Sequence, residues 1–367
     1  MKLTVRTVSL ELDRPLRISR SVMARRDAVW ACVESAGATG YGEVVGSAYL
    51  GLTAGQAARA LLGRAAPALA RHSGPAPALA ALREGALLPA ELPPGVTAAV
   101  DSALLDLLGK HTGQPVHRLL PGRDAHGAPP AAATARTIGI TDPADAAAQA
   151  RSLAARGFRL LKIKAGTADP AEDLDRVAAV RDAAPGARLL LDPNGAWTPG
   201  RAEALLPRFA ALGVEAVEQP TAPGDVEALV RLAEHSPLPL IADEDAVGYD
   251  DALRLAGRVQ GVNVKLAKCG GVHQALRIIE ALGGSGTDVM LGCLTASSLG
   301  IAPAVHLADR ARWADLDGHL LLARDPWQGI GGQDGTVRTT GLPGLGVAPA
   351  PAAVPPAAAL PPGGGSA

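Results

Sequence analysis

Near residue 134 the rhythm of apolar and polar positions along the chain changes. From about Thr134 onward, short apolar runs alternate with stretches of helical period. The runs are ARTIGI, RLLKIKA, RLLLDP, VEAVEQP, LPLIADE, GVNVKLAK, DVMLGC and RWADLDG, eight in about 185 residues with a repeat near 25. Helical patterns at 170–183, 201–212, 225–234 and 272–282 lie between them. Eight strand–helix units predict a parallel sheet closed into a (β/α)8 TIM-type barrel over residues 126–320. The alternative, an open doubly wound sheet, would carry a GxGxxG turn after its first strand, and none stands there.

Upstream, residues 1–125 read as an α+β capping domain. Alternation predicts strands at 4–12 and 28–34, continued at 40–43, followed by helices at 54–70 and 96–111. The second helix should stop near Gly113, with Pro115 beyond it. Residues 321–348 are expected to return to the capping domain, and the Pro/Ala/Gly-rich residues 349–367 read as a disordered tail.

Composition narrows the class. Hydrophobic residues make up 48% of the 367, but aromatics only 2%, so Leu, Val and Ala must do most of the packing. With 35 basic against 36 acidic residues, there is no electrostatic footprint for nucleic acid or an anionic membrane. Cys32, Cys269 and Cys293 form no CxxC, which argues against a disulfide framework and for a reducing compartment. No stretch reaches the length of a charge-free membrane span, and the N-terminus lacks a signal peptide's apolar core. The expectation is a soluble, cytoplasmic protein with a small-molecule partner, and a homo-oligomer is compatible with it.

Barrel chemistry sits at the C-terminal ends of the strands. The third, fourth and fifth runs end in Asp192, Glu218 and Asp243, spaced 26 and 25 residues apart, one βα unit each. Three convergent carboxylates without His or Cys suit a hard ion, Mg²⁺ above all, with Mn²⁺ as the substitute. Each acid could otherwise cap the helix that follows, but three on successive strands favour the ion. The second run carries Lys162 and Lys164, two apart and therefore on one face, pointing inward. The sixth run places Lys265 and Lys268 on the opposite rim. Lys162 and Lys265 can be read as balancing the acids, whereas Lys164 and Lys268 face each other across the ion. A bound divalent ion acidifies the α-proton of a carboxylate substrate by stabilising the enediolate. One lysine can then take that proton while the other returns one from the far side.

The segments KIK, DPNGAW, VEQP, ADE and KLAKCGG together resemble the muconate cycloisomerase subgroup of the enolase superfamily, over nearly the whole chain to about Val347. The resemblance implies that Asp192, Glu218 and Asp243 bind Mg²⁺ and that Lys164 and Lys268 are the acid/base pair, as lysine bases are in that superfamily. It implies a supporting cation at Lys162 in contact with substrate, and supporting polar groups at Asn194 and Glu244.

The eighth run ends WADLDG, with Asp315 and Asp317 on one face, similar to the DxD signature of dipeptide epimerases. That similarity implies a substrate α-ammonium and hence a dipeptide. A salt bridge to Arg312 or Arg324 is the alternative reading of the two acids. Ala296 stands where many members of the family carry Glu. The segments RISRSVMARRD and VVGSAYLGLT match capping-domain loops that close over the barrel mouth, where Arg20 could meet an acidic substrate side chain, with Arg17, Arg25 and Arg26 as competitors. His273, His306 and His319 are assigned to helix or loop surroundings, because no acidic partner follows the superfamily's histidine-base pattern. The competing functions are an o-succinylbenzoate synthase, an N-acylamino acid racemase, a muconate cycloisomerase, or a catalytically silent metabolite-binding barrel.

Overall fold

The computed structural model describes residues 1–122 and 127–351. The boundary expected at 125/126 and nearly all of the expected tail lie outside the described residues.

Three antiparallel strands open the chain: β1 (Lys2–Ile18), β2 (Ser21–Ser35) and β3 (Ala38–Val45). β1 and β2 form a hairpin longer than the alternation predicts. Pairing resumes past an irregularity between Glu11 and Leu16 and runs to Ile18 opposite Ser21. The segment RISRSVMARRD is thus the end of a hairpin rather than a loop. The sheet packs on the helix Pro94–Thr112, and two glycines allow the close approach. A Cβ at Gly40 would lie 2.1 Å from the Ala103 carbonyl oxygen, and one at Gly42 would lie 2.0 Å from that of Ala99. The helix ends at Gly113 in the left-handed conformation, φ 67°, which a glycine adopts without strain.

The eight predicted runs form one parallel sheet: β4 (Ala135–Ile138), β5 (Leu160–Lys164), β6 (Arg188–Asp192), β7 (Val214–Glu218), β8 (Leu240–Ala242), β9 (Gly261–Lys265), β10 (Asp288–Gly292) and β11 (Trp313–Asp315). A parallel bridge between Thr134 and Ala314 brings the last strand against the first, so the sheet closes into a barrel. Local chemistry starts the intervening helices. Asp142, Asp169 and Thr198 each accept a backbone N–H of the first turn, and each is followed by a proline whose missing N–H costs nothing there.

The barrel interior is layered. Ala135, Leu160, Leu190, Ala216, Ile241, Met290 and Trp313 form an apolar floor separate from the main core. Two residues further along each strand come Thr137, Lys162, Asp192, Glu218, Asp243, Asn263, Gly292 and Asp315. The period of two keeps them on the inner face, so a polar layer sits directly above the floor. After β11 the chain runs back to the first domain, where the Trp327 ring meets Trp30 and Tyr41 edge-on at 5.4 and 5.0 Å. Among the described residues, no helix is long and apolar enough to cross a membrane.

Candidate active site

The polar layer opens into a cavity of about 1010 Å³ between the barrel mouth and the capping domain. Lys162 lies at its base, 2% exposed, with its Nζ 3.0 Å from Asp192, 2.5 Å from Glu218 and 2.7 Å from Asp315. One ammonium thus ties the carboxylates of β6 and β7 to that of β11. Lys164, two residues on, reaches Asp192 Oδ2. On the other side, Lys265 is 2.6 Å from Asp243 Oδ2 and 4.0 Å from Glu218 Oε1. Lys268 donates to the Asp243 carbonyl oxygen and to its Oδ1, both at 2.6 Å.

β5 and β9 are the second and sixth of eight strands, so they stand across the barrel from each other. The structure therefore brings Lys164 and Lys268 to opposite sides of Asp192, Glu218 and Asp243. Among the described residues, no three His, Cys, Asp or Glu side chains stand close enough together to grip an ion as they are. Each of the three acids is paired instead with lysine ammoniums.

Electrostatics nevertheless fits a hard cation. Burial pushes the Glu218 carboxyl up to about 7, and the nearby Asp192 and Asp243 add to the push against the pull of Lys162. A cation beside Glu218 would favour its charged form. Burial would also raise Asp192 and Asp243, but the lysines facing each outweigh it and hold both below the usual carboxylate range. Burial lowers Lys268, with Asp243 pulling the other way. For Lys162 and Lys265 the acids prevail over burial, and both stay firmly protonated. Every donor in the cluster is a carboxylate oxygen, which is the set Mg²⁺ prefers.

Two amides organise the acids. The Asn194 backbone N–H donates to Asp192 Oδ1 at 2.9 Å and its Nδ2 to Oδ2 at 3.2 Å. Asn263 donates to Glu218 Oε1 at 2.8 Å. Asn263 has room to do so because Gly292 on the adjacent strand carries no side chain; a Cβ there would lie 2.3 Å from Asn263 Oδ1. Sequence reasoning missed Asn263, although a polar residue at an inward position of GVNVK was a usable signal.

Asp315 and Asp317 both line the cavity. Neither meets Arg312, which pairs with Asp288, nor does either pair with Arg324. Asp315 gives Oδ2 to Lys162, while its buried Oδ1 has no partner. Asp317 Oδ2 accepts the Thr137 N–H at 2.7 Å and Arg136 Nη1 at 3.2 Å. Arg136 also donates to the Leu320 carbonyl oxygen at 2.9 Å. This arginine was not singled out in the sequence, because its position on β4 has outward parity.

Arg20 is already engaged. Its guanidinium donates to Glu244 Oε1 at 2.7 Å and to the Asn194 carbonyl oxygen at 2.9 Å, and it lies 5.5 Å from the centre of the Tyr49 ring. Glu244 thus ties the hairpin tip to the strand ends, and Arg20, expected to meet an acidic substrate side chain, lines the cavity with this contact made. His273 lies on the helix Val272–Leu282, and its ring meets Asp101 of the capping domain. His306 packs against His117, and His319 meets the Gly331 carbonyl oxygen.

Residues 145–353 match the family described as enolase C-terminal domain-like. Residues 1–121 match the mandelate racemase / muconate lactonizing enzyme N-terminal domain. A hydrophobic dipeptide epimerase of Roseobacter litoralis is 34% identical, over 94% of this chain and 98% of its own. The structure of a dipeptide epimerase from Enterococcus faecalis, complexed with Mg and L-Leu-L-Tyr, matches with a TM-score of 0.86 at 30% identity, covering 94% of this chain and 98% of that one. The muconate lactonizing enzyme of Pseudomonas fluorescens, complexed with muconolactone, gives 0.87 at 27% identity, over 95% and 96%.

Proposed function

The chain belongs to the enolase superfamily, in its mandelate racemase and muconate lactonizing enzyme branch, and from that premise we propose that it is a Mg²⁺-dependent dipeptide epimerase. One observation carries the reading. Two lysines on opposite strands flank a carboxylate cluster, and two aspartates of which Asp315 keeps an uncommitted buried oxygen stand at the same mouth.

Asp192, Glu218 and Asp243 would hold the ion. When bound, it takes up the negative charge that builds on the substrate carboxylate as the α-proton leaves. The α-carbon lies between Lys164 and Lys268. One lysine, as the free amine, takes the α-proton and becomes an ammonium. The other, as an ammonium, delivers a proton to the opposite face and becomes an amine, so configuration inverts with no net proton change. Lys162 holds Asp192, Glu218 and Asp315 in one frame and offsets part of their charge. Asp315 and Asp317 receive the α-ammonium of the first residue, with Arg136 and the Thr137 N–H fixing the orientation of Asp317.

This placement also orients the second residue's side chain. Its carboxylate points to β6–β8, its nitrogen to β11, and a lysine faces each side, which leaves the capping-domain lip. Leu16, Ile18, Met23 and Leu52 line the cavity there. Of the arginines that line the cavity, Arg20 is committed to Glu244, whose side chain is 2% exposed, and Arg26 to the Gly46 carbonyl oxygen, which leaves the exposed Arg25 for an acidic side chain. The lip therefore favours an apolar side chain. A dipeptide panel in D₂O tests this, with deuterium gain at the second residue's α-carbon as the readout. L-Ala-L-Leu and L-Ala-L-Phe should exchange at least about tenfold faster than L-Ala-L-Glu. A preference for L-Ala-L-Glu would refute the apolar lip, and no exchange in any dipeptide would refute the epimerase.

The ammonium contact has its own test. Asp317→Asn should lower kcat/KM for a free dipeptide by about tenfold to a hundredfold, because a charge-assisted hydrogen bond is worth about 1.5–3 kcal/mol. The N-acetylated dipeptide should start poor and change little. The coupling term of that double cycle isolates the contact. Equal losses on both compounds would make the aspartate structural and favour an N-acylamino acid or succinylbenzoate substrate.

A further inference from the structure

We propose that Asp101 is a positioning residue for Lys268, so that the capping domain sets one of the two bases and leaves the other alone. The inference rests on the two-lysine reading above. Asp101 sits on the helix Pro94–Thr112 and is 1% exposed. Its Oδ2 accepts the backbone N–H of Val272 at 2.7 Å and of His273 at 3.4 Å, and its Oδ1 meets His273 Nδ1. Those two N–H groups belong to the first turn of the helix Val272–Leu282, where four donors have no partner inside the helix. A residue just before a helix usually supplies the cap. Here that residue is Gly271, which has no side chain, and a carboxylate from the other domain takes over.

The glycines make this matter for the base. Gly270 and Gly271 hold φ of +100° and +116°, a pair of joints immediately after the short helix Leu266–Cys269 that carries Lys268. Their N–H groups both return to the Leu266 carbonyl oxygen at 3.0 Å. A Cβ on Gly271 would lie 2.6 Å from Asp101 Oδ2, so the carboxylate rests directly against the joint. Beyond the joints, Asp101 and His273 fix the chain; before them, Lys268 is held through Asp243. Loosening the first hold lets the turn drift, and a drift near 1 Å at a reacting group costs about a hundredfold. Lys164 has no such dependence. It is the last residue of β5, in the ladder opposite Asp192 of β6, directly after Ile163, which is paired with both β4 and β6.

The experiment follows α-proton exchange in D₂O separately for the two isomers of one dipeptide that differ at the second residue. Lys164→Ala and Lys268→Ala first identify which isomer each lysine deprotonates. Asp101→Asn, Gly271→Ala and His273→Gln are then compared with wild type, each with a melting curve, so that one variant failing to fold leaves two others. The expected result is about tenfold or greater slowing of the isomer served by Lys268, with the other isomer within about twofold of wild type. A merely structural role would slow both isomers together, and that outcome, or no slowing of either, overturns the proposal. Failure of the epimerase reading looks different: wild type would exchange neither isomer.

Discussion

In D₂O, Lys164→Ala and Lys268→Ala each lower the rate of epimerisation by about 10³-fold or more, while each variant still exchanges the α-proton of a single isomer. The size follows from geometry. Inversion needs a proton removed on one face and another delivered on the opposite face, and the two lysines stand on strands across the barrel. Removing either leaves that face with no group positioned to act. Exchange with retention needs one face only, so the surviving lysine still washes deuterium into the isomer it serves. The fold should survive both changes. Without Lys164, Asp192 keeps Lys162 at 3.0 Å. Without Lys268, Asp243 keeps Lys265 at 2.6 Å. Proton NMR on each pure isomer, with melting curves for the variants, checks the claim. Wild-type epimerisation in either variant would remove that lysine from the mechanism.

The barrel and the core of its site were legible because both depend on short-range periodicity. Apolar runs every 25 residues or so marked the strands, and the period of two put Lys162, Lys164, Asp192 and Glu218 on the inner face. What stayed hidden depends on contacts between distant positions. The outer part of the first hairpin, from Arg17 through Arg25, is largely exposed, so neither face needs apolar residues and alternation disappears. Arg20 read as available because its partner, Glu244, lies 224 residues away. The pairing of His273 with Asp101 was not visible because Asp101 is 172 residues upstream in the other domain. Asp315 and Asp317 were visible as a pair, but the commitment of one oxygen of each to Lys162 and Arg136 was not. Local pattern thus reveals which residues face the site, and only packing reveals which of them are already engaged.

Glu218→Gln should uncouple the protein from Mg²⁺, and the clearest signature is in stability as well as turnover. In the metal-free fold, burial, reinforced by Asp192 and Asp243, raises the Glu218 carboxyl to about 7. In the unfolded chain a glutamate titrates near 4.3, so over the interval between these values the fold holds a proton that the unfolded chain has lost. Stability must therefore fall as pH rises through that window, by up to about 4 kcal/mol, and level off above it. Glutamine has no proton to lose. With chelator present, the stability of the variant relative to wild type should rise between pH 4.5 and 7 and then stay constant. Mg²⁺ reverses the comparison. Ligand carboxylates must be ionised to bind, and an ion that binds only the fold adds about 2.7 kcal/mol at a hundred times its Kd. Wild type at pH 8 should gain that melting shift and its turnover together, and lose both in excess chelator. The variant should gain little of either while remaining folded, because Asn263 and Lys162 still frame the position. Denaturant melts across pH, with and without Mg²⁺, measure both halves. An equal Mg²⁺-dependent shift in the two proteins, or full activity of wild type in chelator, would remove Glu218 from the ion's site.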